Sequence, residues 1–177
     1  APPDPNAFVV LPVPVVLYNV PGRTACNLLP ATAVELAQHP NVIGIKEAGG
    51  TPDRVSQLRA ALGRRFIILS GDDSLTLPFM AVGAQGVVSV ASNVIPREIV
   101  QMVRAFATGQ PAAALKLHAK YYPLFKDLFI ETNPIPVKAA MALLGQIEEE
   151  YRLPLVPMSA KNRALLEATL KRCGLLK

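Results

Sequence analysis

The sequence predicts an α/β protein in which parallel β-strands alternate with helices and a purely helical segment follows. Four short apolar segments have the composition of buried strands, and each is followed by a segment with helical periodicity. Beyond residue 109 only helical patterns remain. The chain has 177 residues, of which 51% are hydrophobic, so it is long enough and apolar enough to bury a core.

The four predicted strands share a high content of β-branched residues and a length of six to eight residues. They are 14–20 (PVVLYNV), 41–48 (NVIGIKEA), 66–71 (FIILSG) and 86–91 (GVVSVA). Continuous apolar runs of this length are typical of strands that a parallel sheet buries on both faces.

A predicted helix follows each strand. These helices cover 28–38, 53–62, 74–82 and 96–108, and the aspartates of SGDD are placed to cap the third. Regular alternation of strand and helix indicates a parallel sheet with crossover helices. A complete (β/α)8 barrel, the TIM fold, takes about 250 residues, so four βα units predict about half of such a barrel.

Composition argues against several classes of protein. The net charge of +5 comes from scattered lysines and arginines without interleaved aromatics, which indicates solvated surface charge and no nucleic-acid binding. No apolar run approaches the roughly 20 residues that span a bilayer. The first residues, APPDPNAF, do not resemble a signal peptide, so we expect a cytoplasmic location.

Cysteine and histidine do not form a metal-binding pattern. Cys26 and Cys173 lie far apart, and we expect both thiols to be free and structural. His39 and His118 lie in helical segments without a neighbouring carboxylate cluster. We therefore expect no metal site.

Lys46 stands at the end of the second apolar strand, in the segment PNVIGIKEAGG (40–50). One interpretation is structural: its methylenes lie on apolar surface while the ammonium stays in water. The other is functional, because a partly desolvated lysine has a lowered pKa and forms a Schiff base with a carbonyl substrate. Glu47, the next residue, is expected to be a structural partner or a surface charge.

Two further residues stand near the same edge of the predicted sheet. Tyr18 lies near the end of the first strand, and a phenol beside a nucleophilic amine transfers the protons that imine formation requires. Arg23, in the predicted loop PGRT, carries a planar guanidinium that suits a carboxylate. The alternatives are an ordinary aromatic residue at a strand end and a solvated loop charge.

Five motifs follow one another along the chain: YNVPGRT (18–24), GIKEAGG (44–50), SGDD (70–73), GVVSVASN (86–93) and NPIPVKAAM (133–141). In order and spacing they resemble the dihydrodipicolinate synthase family of class I pyruvate aldolases. The resemblance covers the C-terminal part of that family's sequence. It implies an unmatched N-terminus at 1–13, the C-terminal half of a (β/α)8 barrel at 14–109 and a C-terminal helical domain at 110–177.

The resemblance also implies roles for individual residues. Lys46 matches the lysine that forms a Schiff base with pyruvate, and Tyr18 matches the tyrosine that relays protons. Arg23 matches the arginine that holds the carboxylate of L-aspartate-4-semialdehyde. Val88 matches a residue whose main chain contacts pyruvate, and Gly71 matches a small residue near the second substrate. No cofactor is implied beyond the imine at Lys46.

The implied activity is that of a lyase of lysine biosynthesis, the condensation of pyruvate with L-aspartate-4-semialdehyde. Two alternatives remain open: an N-acetylneuraminate lyase-type or other pyruvate-dependent aldolase, and a non-catalytic remnant that acts only in assembly. Because the family's first four βα units are not matched, we expect the isolated chain to be weakly active or inactive. We expect it to form a homo-oligomer or to require a complementing N-terminal half.

Overall fold

The computed structural model describes residues 13–177, which form two compact units. The first unit ends at Val88 and the second begins at Ser89. The expected unmatched N-terminus at 1–13 lies, up to residue 12, outside the described residues. The boundary between the units precedes the helix predicted at 96–108, whereas the predicted barrel segment, 14–109, includes that helix. The domain boundary at residue 109 stays a prediction.

A four-stranded parallel sheet forms the centre of the first unit. Its strands are β1 (Val15–Asn19), β2 (Val42–Glu47), β3 (Ile67–Ser70) and β4 (Gly86–Val87). Neighbours in the chain are neighbours in the sheet, in the order β1-β2-β3-β4, and every adjacent pair is parallel. This arrangement confirms the predicted alternation of parallel strands and crossover helices.

The fourth strand is shorter than predicted. Its ladder ends with the Val88 amide, which donates to the Ser70 carbonyl oxygen at 2.8 Å. Val90 then has helical dihedrals (φ −80°, ψ −41°), and a 3₁₀ turn follows at Ala91–Asn93. The predicted continuation of this strand to residue 91 is therefore wrong, because helical backbone angles take the chain out of a β ladder.

Four helices accompany the sheet: α1 (Pro21–Thr24), α2 (Pro30–Leu36), α3 (Pro52–Leu62) and α4 (Thr76–Ala81). The PGRT segment, predicted as a loop, is the one-turn helix α1, in which the Ala25 amide donates to the Pro21 carbonyl oxygen at 3.0 Å. A 3₁₀ turn at Asp73–Leu75 precedes α4, and the Asp72 carboxylate accepts from the Ser74 amide at 2.8 Å. Asp72 thus caps this turn, whereas α4 itself begins without a side-chain cap.

The two faces of this sheet have different environments. Leu17, Ile45 and Ile68 lie on the face that packs against the helices, and all three are buried. Tyr18, on the opposite face, remains 48% exposed. Successive residues of a strand point to opposite faces, so the hydrophobic core of this unit lies on one side of the sheet.

The second unit is helical. Its helices are α5 (Pro96–Ala107), α6 (Pro111–Asp127), α7 (Ile135–Leu143) and α8 (Ala160–Arg172). α5 packs against α6, and α8 packs against both α6 and α7. Leu124, Leu166 and Leu170 are fully buried among these helices. None of the helices in residues 13–177 has the length and apolar character needed to cross a membrane.

The two cysteines are free, as predicted. Cys173 is buried, and burial is the main cause that raises the pKa of its thiol. Cys26 is exposed, so the structural role expected for both thiols does not apply to it.

Candidate functional site

Tyr18 and Lys46 lie side by side at the carboxyl ends of β1 and β2. The strand register pairs them directly, and the Lys46 Nζ lies 4.0 Å from the centroid of the Tyr18 ring. Both side chains are on the face of the sheet opposite the hydrophobic core. The parallel ladder thus brings a primary amine and a phenol into contact. The sequence patterns predicted that both residues lie near this edge of the sheet.

Gly71 lies against the Lys46 side chain. A Cβ atom at position 71 would come within 3.2 Å of Lys46 Cε and 2.7 Å of Ala48 Cβ. The Gly71 amide also donates to the Glu47 carbonyl oxygen at 2.8 Å, which fixes the loop beside β2. A larger residue at position 71 would therefore collide with Ala48 and press against the Lys46 side chain. Its predicted position near a second substrate stays a prediction.

Arg23 and Val88 occupy the same edge of the sheet by topology. Arg23 is an exposed residue of α1, in the connection that leaves the carboxyl end of β1. Val88 follows β4, with its side chain 42% exposed and its amide bonded to β3. Their predicted substrate contacts stay predictions.

Lysine–tyrosine contact alone does not identify a functional site. In the second unit, Lys120 Nζ lies 4.8 Å from the Tyr121 ring centroid and Lys138 Nζ lies 5.3 Å from the Tyr151 ring centroid. The contact of Lys46 differs because it joins the ends of two parallel strands. The carboxyl ends of parallel strands are where barrels and open α/β sheets place their active sites.

Glu47 is fully buried on the core side of the sheet, so it is a structural partner and not a surface charge. Its carboxylate accepts from Asn19 Nδ2 at 2.9 Å and lies 3.2 Å from Arg54 Nε. Sequence reasoning missed Asn19 and Arg54. The available signal was the two-residue period, which places Asn19 with Leu17 and Glu47 with Ile45 on the buried face, where a carboxylate requires a cation.

Comparison with known proteins agrees with the family resemblance of the five motifs. A sequence model described as the Dihydrodipicolinate synthetase family matches residues 9–173, a match that begins before the first predicted strand. A 4-hydroxy-tetrahydrodipicolinate synthase from Koribacter versatilis (strain Ellin345) is 52% identical over 164 residues, covering 93% of this chain and 55% of that protein. The chain thus spans about half the length of the curated relatives it matches.

Solved structures agree with the sequence comparison. The 4-hydroxy-tetrahydrodipicolinate synthase of Methylacidiphilum fumariolicum SolV superposes with a TM-score of 0.94 at 49% identity, over 96% of this chain and 57% of that one. The chloride-inhibited dihydrodipicolinate synthase of Acinetobacter baumannii, complexed with pyruvate, has a TM-score of 0.93 at 37% identity, over 97% of this chain and 59% of that one. These neighbours are (β/α)8 barrels, and the four-stranded parallel sheet with its following helices is part of that fold.

Proposed function

Because the chain belongs to the Dihydrodipicolinate synthetase family, we propose that Lys46 is the amine that forms a Schiff base with pyruvate. The protein that contains these residues then condenses the bound pyruvate with L-aspartate-4-semialdehyde, a step of lysine biosynthesis. The observation that carries this proposal is the contact between Lys46 and Tyr18 at the carboxyl ends of two adjacent parallel strands.

The chemistry assigns a separate task to each of these two groups. The neutral Lys46 amine attacks the keto carbon of pyruvate, the carbonyl oxygen leaves as water, and a C=N bond forms. Loss of a proton from the pyruvate methyl carbon then gives the enamine that attacks the aldehyde. The Tyr18 phenol, beside the amine, exchanges the protons that these steps add and remove. No cofactor other than the covalent imine is required.

The remaining predicted residues support substrate binding in this proposal. The Arg23 guanidinium has the planar geometry that holds the carboxylate of L-aspartate-4-semialdehyde. Val88 contacts pyruvate through its main chain, and Gly71 leaves room for the second substrate beside Lys46. The pyruvate bound to the Acinetobacter baumannii relative supports the choice of the first substrate.

We further propose that the site is completed by protein outside residues 13–177. Tyr18 is 48% exposed, while a proton relay works best where solvent is excluded. A second copy of the chain or a complementing N-terminal half of the barrel would cover this face. A relay contributes on the order of a hundredfold or more, so we expect imine formation to be slow in the 177-residue chain alone.

Borohydride trapping tests the proposal directly. The protein is incubated with pyruvate and reduced, and peptide mass spectrometry locates the adduct. We expect the adduct on Lys46 and its loss in Lys46→Ala. Lys138→Ala is the matched control, because Lys138 also lies over a tyrosine ring and should leave trapping unchanged. A folded protein that gives no adduct on Lys46 would contradict the proposed function.

A further inference from the structure

Glu47 carries a carboxylate that the proposed chemistry does not use. It directly follows Lys46, yet its side chain is 0% exposed because it points to the opposite face of β2. Burial of a carboxylate is unfavourable unless the charge is paired and hydrogen-bonded. The partners that satisfy Glu47 therefore indicate what this residue does.

Those partners join the ends of the two strands that carry Tyr18 and Lys46. Asn19 Nδ2 donates to both carboxylate oxygens of Glu47, at 2.9 and 3.2 Å. Asn19 and Glu47 are register partners, one step beyond the Tyr18–Lys46 pair. The Asn19–Glu47 contact on the core face of the sheet thus fixes the spacing of Tyr18 and Lys46 on the opposite face.

The same contacts hold the connection that carries Arg23. The Leu28 amide donates to Asn19 Oδ1 at 2.9 Å, and Arg54 Nη2 donates to the Leu28 carbonyl oxygen. Arg54 Nε lies 3.2 Å from the Glu47 carboxylate. Leu28 follows α1 in the chain, so both ends of the connection from β1 to α2 are tied to the ends of the strands.

Gly49 completes the arrangement. Its amide donates to Glu47 Oε1, and a Cβ atom at this position would lie 2.5 Å from that oxygen and 3.0 Å from Asn19 Nδ2. There is no space for a larger residue. The carboxylate is thereby held from three directions by Asn19, Arg54 and Gly49.

We propose that Asn19, Glu47 and Arg54 form a positioning network, which holds the Lys46 amine, the Tyr18 phenol and the Arg23 connection in their reactive arrangement. This inference rests on the proposed function of Lys46. The three residues act through the main chain of the strand ends and are not themselves in the reaction. Their effect should appear in the rate of imine formation and not only in stability.

Helix α3 supplies a matched control for this network. Arg54 lies in its first turn and Arg59 in its last. Arg59 donates to main-chain oxygens at the amino end of the sheet. Arg59 Nη2 donates to the Gly83 carbonyl oxygen at 2.8 Å, and Arg59 Nη1 donates to that of Phe66 at 3.0 Å. Arg59→Met therefore removes an arginine from the same helix without touching the network.

The experiment measures borohydride trapping of pyruvate in the complete polypeptide that carries this sequence. Trapping rates over a range of pyruvate concentrations are compared for wild type, Arg54→Met, Arg54→Lys and Arg59→Met, with urea unfolding as the measure of stability. We expect Arg54→Met to lower the maximal trapping rate about tenfold, with the pyruvate concentration for half-maximal rate near wild type, because a displaced amine reacts slowly. We expect Arg54→Lys to restore part of the rate and Arg59→Met to remain near wild type.

Glu47→Gln is measured in parallel, because Arg54→Met leaves a buried carboxylate unpaired and reduces stability. The amide is isosteric, retains an acceptor for Asn19 and Gly49, and should reproduce the slower trapping. Equal maximal trapping rates in the Arg54, Glu47 and Arg59 variants would overturn the inference while leaving the proposed function intact. Absence of trapping in wild type would overturn the proposed function and, with it, the positioning role.

Discussion

The two ends of the parallel sheet in the first unit are both tied to α3 by an arginine, but by different chemistry. At the carboxyl end, Arg54 pairs with the buried carboxylate of Glu47, which also accepts from Asn19. At the amino end, Arg59 donates to the carbonyl oxygens of Phe66 and Gly83 and to the side chain of Gln85. One end buries an ion pair, whereas the other satisfies neutral backbone groups.

The carboxyl end of the sheet requires the more precise geometry. Neutral carbonyls that precede a strand need a donor, and one arginine satisfies several of them at little electrostatic cost. A buried carboxylate is more demanding, because it must be paired and fully hydrogen-bonded, but charge-assisted hydrogen bonds hold their partners in narrowly defined directions. The buried pair of Glu47 and Arg54 is at the end of the sheet that holds Lys46 and Tyr18.

The largest effect on stability should come from Glu47→Ala. This change leaves Arg54 as an unpaired charge that is only 12% exposed, and Asn19 Nδ2 keeps only the Asn27 side-chain oxygen among its side-chain acceptors. Breaking a buried pair costs about 3–5 kcal/mol. Arg59→Ala at the opposite end should cost about 1–3 kcal/mol, since its partners are neutral. Urea unfolding of both variants measures the two losses, and equal losses would remove the distinction between the two ends.

A smaller effect is expected from Gly49→Ala, which keeps all charges and tests packing at the carboxyl end. The added Cβ atom would lie 3.2 Å from Arg54 Nε as well as against Glu47, and overpacking of this kind costs about 1–3 kcal/mol. Gly22→Ala is the control, because nothing lies within 4 Å of a Cβ atom there. Thermal unfolding should separate the two variants; a Gly49→Ala protein as stable as Gly22→Ala would mean that the network has room to adjust.

The smallest effect concerns Glu131, a carboxylate of the second unit that is partly exposed and has no cation partner among the ion pairs of residues 13–177. It accepts from Asn162 Nδ2 and Ser159 Oγ, each at 2.8 Å, at the start of α8. The hydrogen bonds from Asn162 and then Ser159 lower the pKa of Glu131 below its ordinary value of 4.5. The stabilisation is therefore fully present above pH 4.5 and is lost as pH falls through the lowered pKa.

Comparison of wild type with Glu131→Gln tests this pH dependence. We expect the variant to melt about 2–4 °C lower at pH 6, with the difference shrinking as pH falls below 4.5. A difference that stays constant between pH 6 and pH 3 would show that the charge of Glu131 does not contribute. Compared with Glu47→Ala, the result also shows how much less a partly exposed carboxylate contributes to stability than the buried carboxylate of Glu47.

Some elements of this fold follow from local patterns and others do not. Apolar β-branched runs predict β1, β2 and β3 to within one residue at each end. The burial on both faces that such runs indicate is wrong for residues 13–177, because Val16 and Tyr18 are 44% and 48% exposed. The one-turn helix α1 has no periodicity that a pattern could detect. The end of β4 depends on the dihedrals of Val90, which composition does not specify.

Local sequence patterns are sufficient to predict the alternation of strands and helices, the parallel orientation of the strands and the placement of Tyr18 and Lys46 at one edge. The reason is that parallel strands with crossover helices bring their carboxyl ends to the same side. The two-residue period of β2 places Glu47 on the buried face, but only the packing of the folded chain selects Arg54 as the cation that neutralises it. That choice depends on how α3 packs across the sheet, because a cation reaches a buried carboxylate only where the packing brings the two side chains together.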